Sequence, residues 1–205
     1  MEGETSRLLG IIGSLLVILG VVPTVGGLFM LVGIIFVLIA LKGYADFYKD
    51  GSIFSNTLYT ILLSIVGLVV FTGIFFYGAM EFLSSLGITN IMELNSWQAI
   101  DWQNAITMSN ILPFVGAIVV GLVILFAFLV IASLFFKKSM NALSKKSGVN
   151  LFHTTGTVFL VGAILTIIII GFIIIWVSFI LLMIAFYQSK PIKKMQEPQK
   201  QVPPS

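Results

Sequence analysis

Four long stretches of this 205-residue chain carry no Asp, Glu, Lys or Arg: Leu8 to Leu41, Gly51 to Met80, Gln103 to Phe136 and Ser147 to Ser189. A helix crossing the roughly 30 Å of bilayer hydrocarbon needs about 20 consecutive apolar residues, and every stretch exceeds that. Charged residues make up 9% of the chain and hydrophobic ones 59%, where a soluble domain has about 25% and 45–50%. So little charge cannot coat a water-facing surface. That excludes a soluble domain, a disordered chain and, despite a net charge of +3, a nucleic-acid binder. The expectation is an all-α, polytopic membrane helical bundle.

Length then divides the stretches. Leu8 to Leu41 would be roughly 51 Å as a single helix, far longer than a bilayer requires. Pro23, with Gly20, Gly26 and Gly27, sits in the middle, where a break is cheapest. Thr154 to Tyr187 has the same excess, with Gly171 near its centre. Each end stretch therefore reads as a hairpin of two short helices, and each middle stretch as a single span. Lys and Arg near segment ends favour the cytoplasmic side. With two end hairpins, Arg7, Lys42, Lys49, Lys137, Lys138, Lys145, Lys146, Lys190, Lys193, Lys194 and Lys200 all share one side. These are all 11 basic residues. The other side receives Glu81, Glu93 and Asp101. Single spans at the ends would scatter the tail lysines to the outside, so the hairpins are preferred.

The resulting expectation is about six transmembrane helices, near residues 8–22, 24–42, 54–84, 111–137, 154–170 and 171–188, in a single membrane domain over 1–189. Four spans plus two re-entrant hairpins is the variant, because the short halves sit at or below the usual spanning length. Residues 190–205, polar and rich in proline, read as a disordered cytoplasmic tail. Both termini are expected in the cytoplasm. Glu2 and Glu4 precede the one early Arg7, and no small-residue cleavage site follows, so the first segment reads as retained rather than as a signal peptide. Lys49-Asp50-Gly51 and Lys145-Lys146-Ser147-Gly148 look like helix C-termini with a glycine stop. Pro113 fits a first helical turn capped by Ser109 or Asn110. Asn95-Ser96 could cap a short outer-surface helix carrying Trp97, Ile100 and Trp102.

Residues that could carry chemistry are scarce. The chain has no cysteine and one histidine, which excludes disulfides, thiolate sites and a cysteine nucleophile. Glu81 lies at the outer end of the third helix and reads as an interfacial carboxylate. His153, at the start of the fifth, has no second His or Cys with which to hold a metal, and reads as a cap-region or headgroup contact. No charge falls in the middle of any span, where proton relays and ion paths place theirs. Ser64, Thr72, Ser133, Thr166 and Ser178 have no base at helical spacing, so they are expected to bond a neighbouring helix or their own backbone. No site residue, metal or cofactor is expected, and the chain reads as no enzyme. The lysines give one face a positive potential, for which lipid headgroups are natural partners; nucleic acid is not among them.

The end hairpins echo one another. Ile12-Gly13-Ser14-Leu15-Leu16 parallels Val161-Gly162-Ala163-Ile164-Leu165, and Val32-Gly33 through Ala40 parallels Val177-Ser178 through Ala185. Ser147-Gly148-Val149-Asn150-Leu151-Phe152-His153-Thr154-Thr155-Gly156 opens the last stretch, which continues as Val161-Gly162-Ala163-Ile164-Leu165-Thr166 and ends Ile184-Ala185-Phe186-Tyr187. These residues resemble an archaeal family of multi-pass membrane proteins, domain of unknown function 996. Pro23 to Lys42 and Asp50-Gly51-Ser52-Ile53-Phe54 look like its N-terminal half, so the resemblance runs from about residue 8 to 187. Thr155 departs from the small apolar residue expected there. The resemblance implies an archaeal cytoplasmic membrane and a helical bundle, and no activity or functional residue. The charge-free, glycine-rich spans suggest a non-enzymatic role as scaffold, accessory subunit or lipid-organising element, with a second copy or another membrane protein as packing partner. The alternative is a small transporter or channel for a neutral or lipid-like solute, motivated by the Gly/Pro-interrupted hairpins.

Overall fold

The computed structural model describes residues 3–87, 107–168 and 170–189. Six α-helices occur among them, with no strand. They are α1 (Gly3–Leu19), α2 (Gly26–Tyr48), α3 (Gly51–Ser85), α4 (Met108–Ser147), α5 (Asn150–Leu165) and α6 (Ile170–Gln188). A 3-10 turn, Thr166–Ile168, links the last two. Every one of α2, α3, α4, α5 with its 3-10 turn, and α6 is long and apolar enough to cross a membrane. At 17 residues, α1 stands at the lower limit of about 17–25. The all-α, polytopic architecture with a short hairpin at each end is therefore what the chain forms. The segment around Trp97 and Trp102 and the tail from 190 to 205 lie outside the described residues.

The chain divides into two compact units, Met1–Thr60 with Ser133–Ser205, and Ile61–Ala132. In the first, α1 packs on α2, α5 packs on α6, and α1 packs on α6. Glycine makes these approaches close. A Cβ on Gly13 would lie 2.8 Å from the Gly33 carbonyl oxygen, and one on Gly33 would lie 2.6 Å from the Gly13 carbonyl oxygen. In the second hairpin Gly162 faces the Ile175 N–H and the Gly171 carbonyl, and a Cβ on Gly171 would strike the Gly162 carbonyl and the Thr166 amide. Both hairpins are closed backbone against backbone, as small residues permit in helices that share a membrane.

In the unit Ile61–Ala132 the α3 and α4 segments meet through Gly67 against Phe128, Gly78 against Ala117, and Gly121 against Phe71. Phe75 and Phe82 both pair with Phe114, at 5.9 and 5.5 Å between ring centres. Their remaining faces are apolar and open: Val69, Phe76, Leu112 and Val123 are all more than 60% exposed. Such faces suit hydrocarbon.

Several expected boundaries move. Beyond the ends expected near 42 and 137, α2 continues to Tyr48 and α4 to Ser147, taking the basic runs into helix. Between α2 and α3 the stop is Lys49, in the left-handed region at φ 51°, while Gly51 already begins α3. Gly148 does act as the expected glycine stop, at φ 73°. The start of α4 lies a turn earlier than expected: the Thr107 carbonyl accepts from the Asn110 and Ile111 amides, and Pro113 falls inside the helix. The first hairpin turns through Gly20 to Val25, with Thr24 held at φ 73° next to Pro23.

Candidate functional site

The densest packing in the unit Met1–Thr60 with Ser133–Ser205 gathers where its basic residues gather. Val37, Leu41 and Tyr44 of α2, Ile53 of α3, Phe136, Met140 and Leu143 of α4, Phe152 of α5, and Leu182 and Phe186 of α6 form one buried core. Tyr44, Phe152 and Phe186 are fully buried and their rings pack in sequence, Tyr44 on Phe186 at 5.8 Å and Phe152 edge-on to Phe186 at 5.2 Å. Offset and edge-to-face pairs of this kind add to the burial itself. Around the core, Lys42, Lys49, Lys138, Lys145 and Lys146 are exposed.

Several polar groups inside this end bond one another. The Ser189 hydroxyl donates to the Phe186 carbonyl at 2.7 Å, so the Tyr44 hydroxyl, 2.5 Å from Ser189 Oγ, is the donor in that pair. Arg7 donates from its guanidinium to the Tyr187 carbonyl at 2.8 Å and lies over the Tyr187 ring at 5.5 Å. Two hydroxyls, Ser139 at 2.6 Å and Thr57 at 3.0 Å, converge on the Ile53 carbonyl, joining α3 to α4. Ser6 is buried with no hydrogen-bond partner for its Oγ. It presses on Gly43, where a Cβ would collide with that oxygen. At the α2–α3 corner the Ser52 hydroxyl and amide donate to Asp50 at 2.6 and 3.1 Å. The Ser52 hydroxyl bond leads, with help from its amide and the Lys146 charge, in holding the Asp50 carboxyl below its ordinary value.

At the other end of the same hairpins the last carbonyls of α1 also find donors. Val17 accepts from the Gly20 amide and Leu19 from the Val22 amide, each at 3.0 Å. Ile18 accepts from the Trp176 indole N–H of α6 at 3.1 Å. In the second hairpin the Thr166 hydroxyl donates to the Ala163 carbonyl at 2.7 Å.

Residues singled out from the sequence fall apart in space. Glu81 is exposed near the end of α3, and His153 is exposed in the first turn of α5. Thr166 and Ser178 bond backbone carbonyls of their own segment, Ala163 and Ile175, as anticipated; Ser133 is buried and Thr72 exposed. Among the described residues no three His, Cys, Asp or Glu side chains come together in a metal-holding group. The contacts missed were the distant ones, Tyr44–Ser189, Arg7–Tyr187 and Trp176–Ile18. Their only sequence signals are aromatic or basic residues near helix ends.

A model of a protein family of unknown function, domain of unknown function 996, matches residues 29–180. The chain belongs to this family. Within the match lie most of α2, all of α3, α4 and α5, and the half of α6 that carries Trp176. A similar protein, uncharacterised, from the archaeon Methanocaldococcus jannaschii is 27% identical over 150 residues, 73% of either chain. No solved structure matches the chain.

Proposed function

We propose that this chain is a non-enzymatic membrane protein that works through helix packing, as a scaffold, accessory subunit or organiser of surrounding lipid. The observation that carries this reading is the closure of both end hairpins at Gly13–Gly33 and Gly162–Gly171. A transporter of the hairpin type needs a polar, roomy break near the bilayer midplane. Here the paired backbones lie too close even for a methyl group between them. At the basic end Tyr44 bonds Ser189 and Arg7 bonds the Tyr187 carbonyl, contacts that tie helix to helix and suit a structural part. Outward faces are apolar, and Gly27, Gly73 and Gly116 have open space where a Cβ would stand, so a partner helix or acyl chain can approach closely. The positive-inside tendency places the basic end, with both termini, in the cytoplasm.

Native mass spectrometry of the full chain released from nanodiscs tests the reading. Retained lipid, self-association or a stoichiometric membrane-protein partner is the expected result. A bare monomer would sink it. Solute flux through proteoliposomes above that of empty vesicles would favour a channel or small transporter instead.

A further inference from the structure

The tips of the two end hairpins carry large apolar side chains into open space. At the first tip Val21 is 70% exposed and Leu28 65%; at the second Ile167 is 72% exposed and Ile173 65%. Val22, Pro23, Thr24, Val25, Gly26 and Gly27 lie between the first two, and no Asp, Glu, Lys or Arg lies anywhere from Leu8 to Leu41 or from Ser147 to Ser189. A tip emerging into water would present all of this surface to it, without a single charge.

Reach argues the same way. A hairpin extends only as far as its shorter arm. From Arg7 to the end of α1 at Leu19 is about 18 Å, and from Asn150, where α5 begins, to Ile168 about 27 Å, against a hydrocarbon core of roughly 30 Å. With Arg7 and the lysines held at the polar boundary, both turns stop inside the apolar layer.

A turn inside hydrocarbon has to satisfy its own backbone, since no water is there to do so. Helix ends ordinarily leave their last carbonyls to solvent. In α1 the last three are all taken by protein donors: Val17 by the Gly20 amide, Leu19 by the Val22 amide, and Ile18 by the Trp176 indole reaching across from α6. An indole N–H committed to a carbonyl at a wet helix end would be superfluous. At the second tip the Thr166 hydroxyl serves Ala163, and a 3-10 turn tightens the passage to α6. In the first turn Pro23 brings no amide that would need an acceptor.

We infer that both hairpin tips are submerged in the bilayer, contacting lipid acyl chains at Val21–Leu28 and Ile167–Ile173, so that α1–α2 and α5–α6 enter and leave on the basic side while α3 and α4 alone cross fully. The leaflet beyond the tips must thin or bend to meet them. Submersion does not depend on the scaffold role: a channel could contain the same tips.

Because the chain has no cysteine, single cysteines read this directly in the full-length protein. Val21→Cys and Ile167→Cys replace side chains that touch little, so folding is not at stake; Leu28→Cys and Phe172→Cys, also exposed, duplicate the readout. Thr107→Cys and Asn150→Cys are exposed controls. In permeabilised membranes, where a charged maleimide reaches both aqueous faces, the tip cysteines are expected to react at least tenfold more slowly than both controls. Nitroxides attached at the tips in proteoliposomes should be relaxed by oxygen and not by an aqueous nickel chelate. Reaction rates within tenfold of the controls, or relaxation by nickel, would overturn the inference.

Discussion

In the first hairpin a glycine on each arm presses against the other's carbonyl, Gly13 against Gly33, and six residues including Pro23 turn the chain. In the second, Gly162 meets Gly171 almost at the turn itself, and a 3-10 segment of three residues completes it. The aligned glycines Gly13 and Gly162 thus share a task but not a register: Ser178, which the sequence echo places opposite Gly33, is not what Gly162 touches. The tighter turn brings Gly171 under the Thr166 amide and the Leu165 carbonyl carbon, so it faces backbone from three residues where Gly26, at the wider turn, faces only Gly20. Closeness of backbones is the common requirement, and the route to it differs with the width of the turn.

The sharpest break in this comparison is Gly171→Ala. Its Cβ would strike backbone atoms of α5 and of the 3-10 turn, so the cost should exceed the usual overpacking range, reaching about 3 kcal/mol or more. The unfolding midpoint of the full chain in mild detergent should drop steeply. Gly13→Ala meets the Gly33 carbonyl oxygen, the Phe36 Cβ and the Val37 amide nitrogen, each at 2.8 Å, a milder overlap than at Gly171; about 2 kcal/mol is expected from the same measurement. If Gly13→Ala were the more damaging of the two, the ordering of the hairpins by turn width would be wrong.

Trp176→Phe keeps an aromatic ring but removes the donor that serves Ile18. A loss of about 1 kcal/mol follows, in line with hydrogen bonds between membrane helices. Amide exchange should speed up in the last turn of α1 more than in α5. Tyr44→Phe, at the opposite end, removes one hydroxyl whose partner keeps its bond to Phe186, and about 0.5–1 kcal/mol is expected. Smallest is Asp50→Asn at the exposed α2–α3 corner. The folded carboxyl titrates below its unfolded value, so its stabilising effect is present above the unfolded pKa and disappears as pH falls through the folded one. Wild type and variant should therefore differ slightly at neutral pH and converge in acid, in parallel thermal scans.

Much of this architecture could be read from where charge is missing. The charge-free runs mark the spans, Pro23 and Gly171 mark the hairpin turns, and the basic residues among those described border the buried core at one end. The basic segments continue α2 and α4 beyond the ends expected near 42 and 137, because lysines next to a span mark the polar boundary and not the end of the helix. Their apolar residues held the better signal. Phe136, Met140 and Leu143 fall on one helical face, as do Leu41, Tyr44, Ala45 and Tyr48, and those faces build the core. Contacts between residues more than a hundred positions apart, such as Tyr44 with Ser189, leave no periodic trace and could not be found from one sequence.

The pairing of α1 with α6 has a consequence for how the protein is made. Chains are synthesised from the N-terminus, and their early parts tend to fold first. Yet α1 depends on α6 along its whole length: Arg7 needs the Tyr187 carbonyl, Gly10 seats the Phe186 ring, and the Ile18 carbonyl waits for Trp176. A helix made early is completed by one made much later. Until then α1 and α2 can form a hairpin but not a finished one, and a chain cut short before Trp176 would leave its earliest helix as its least settled part.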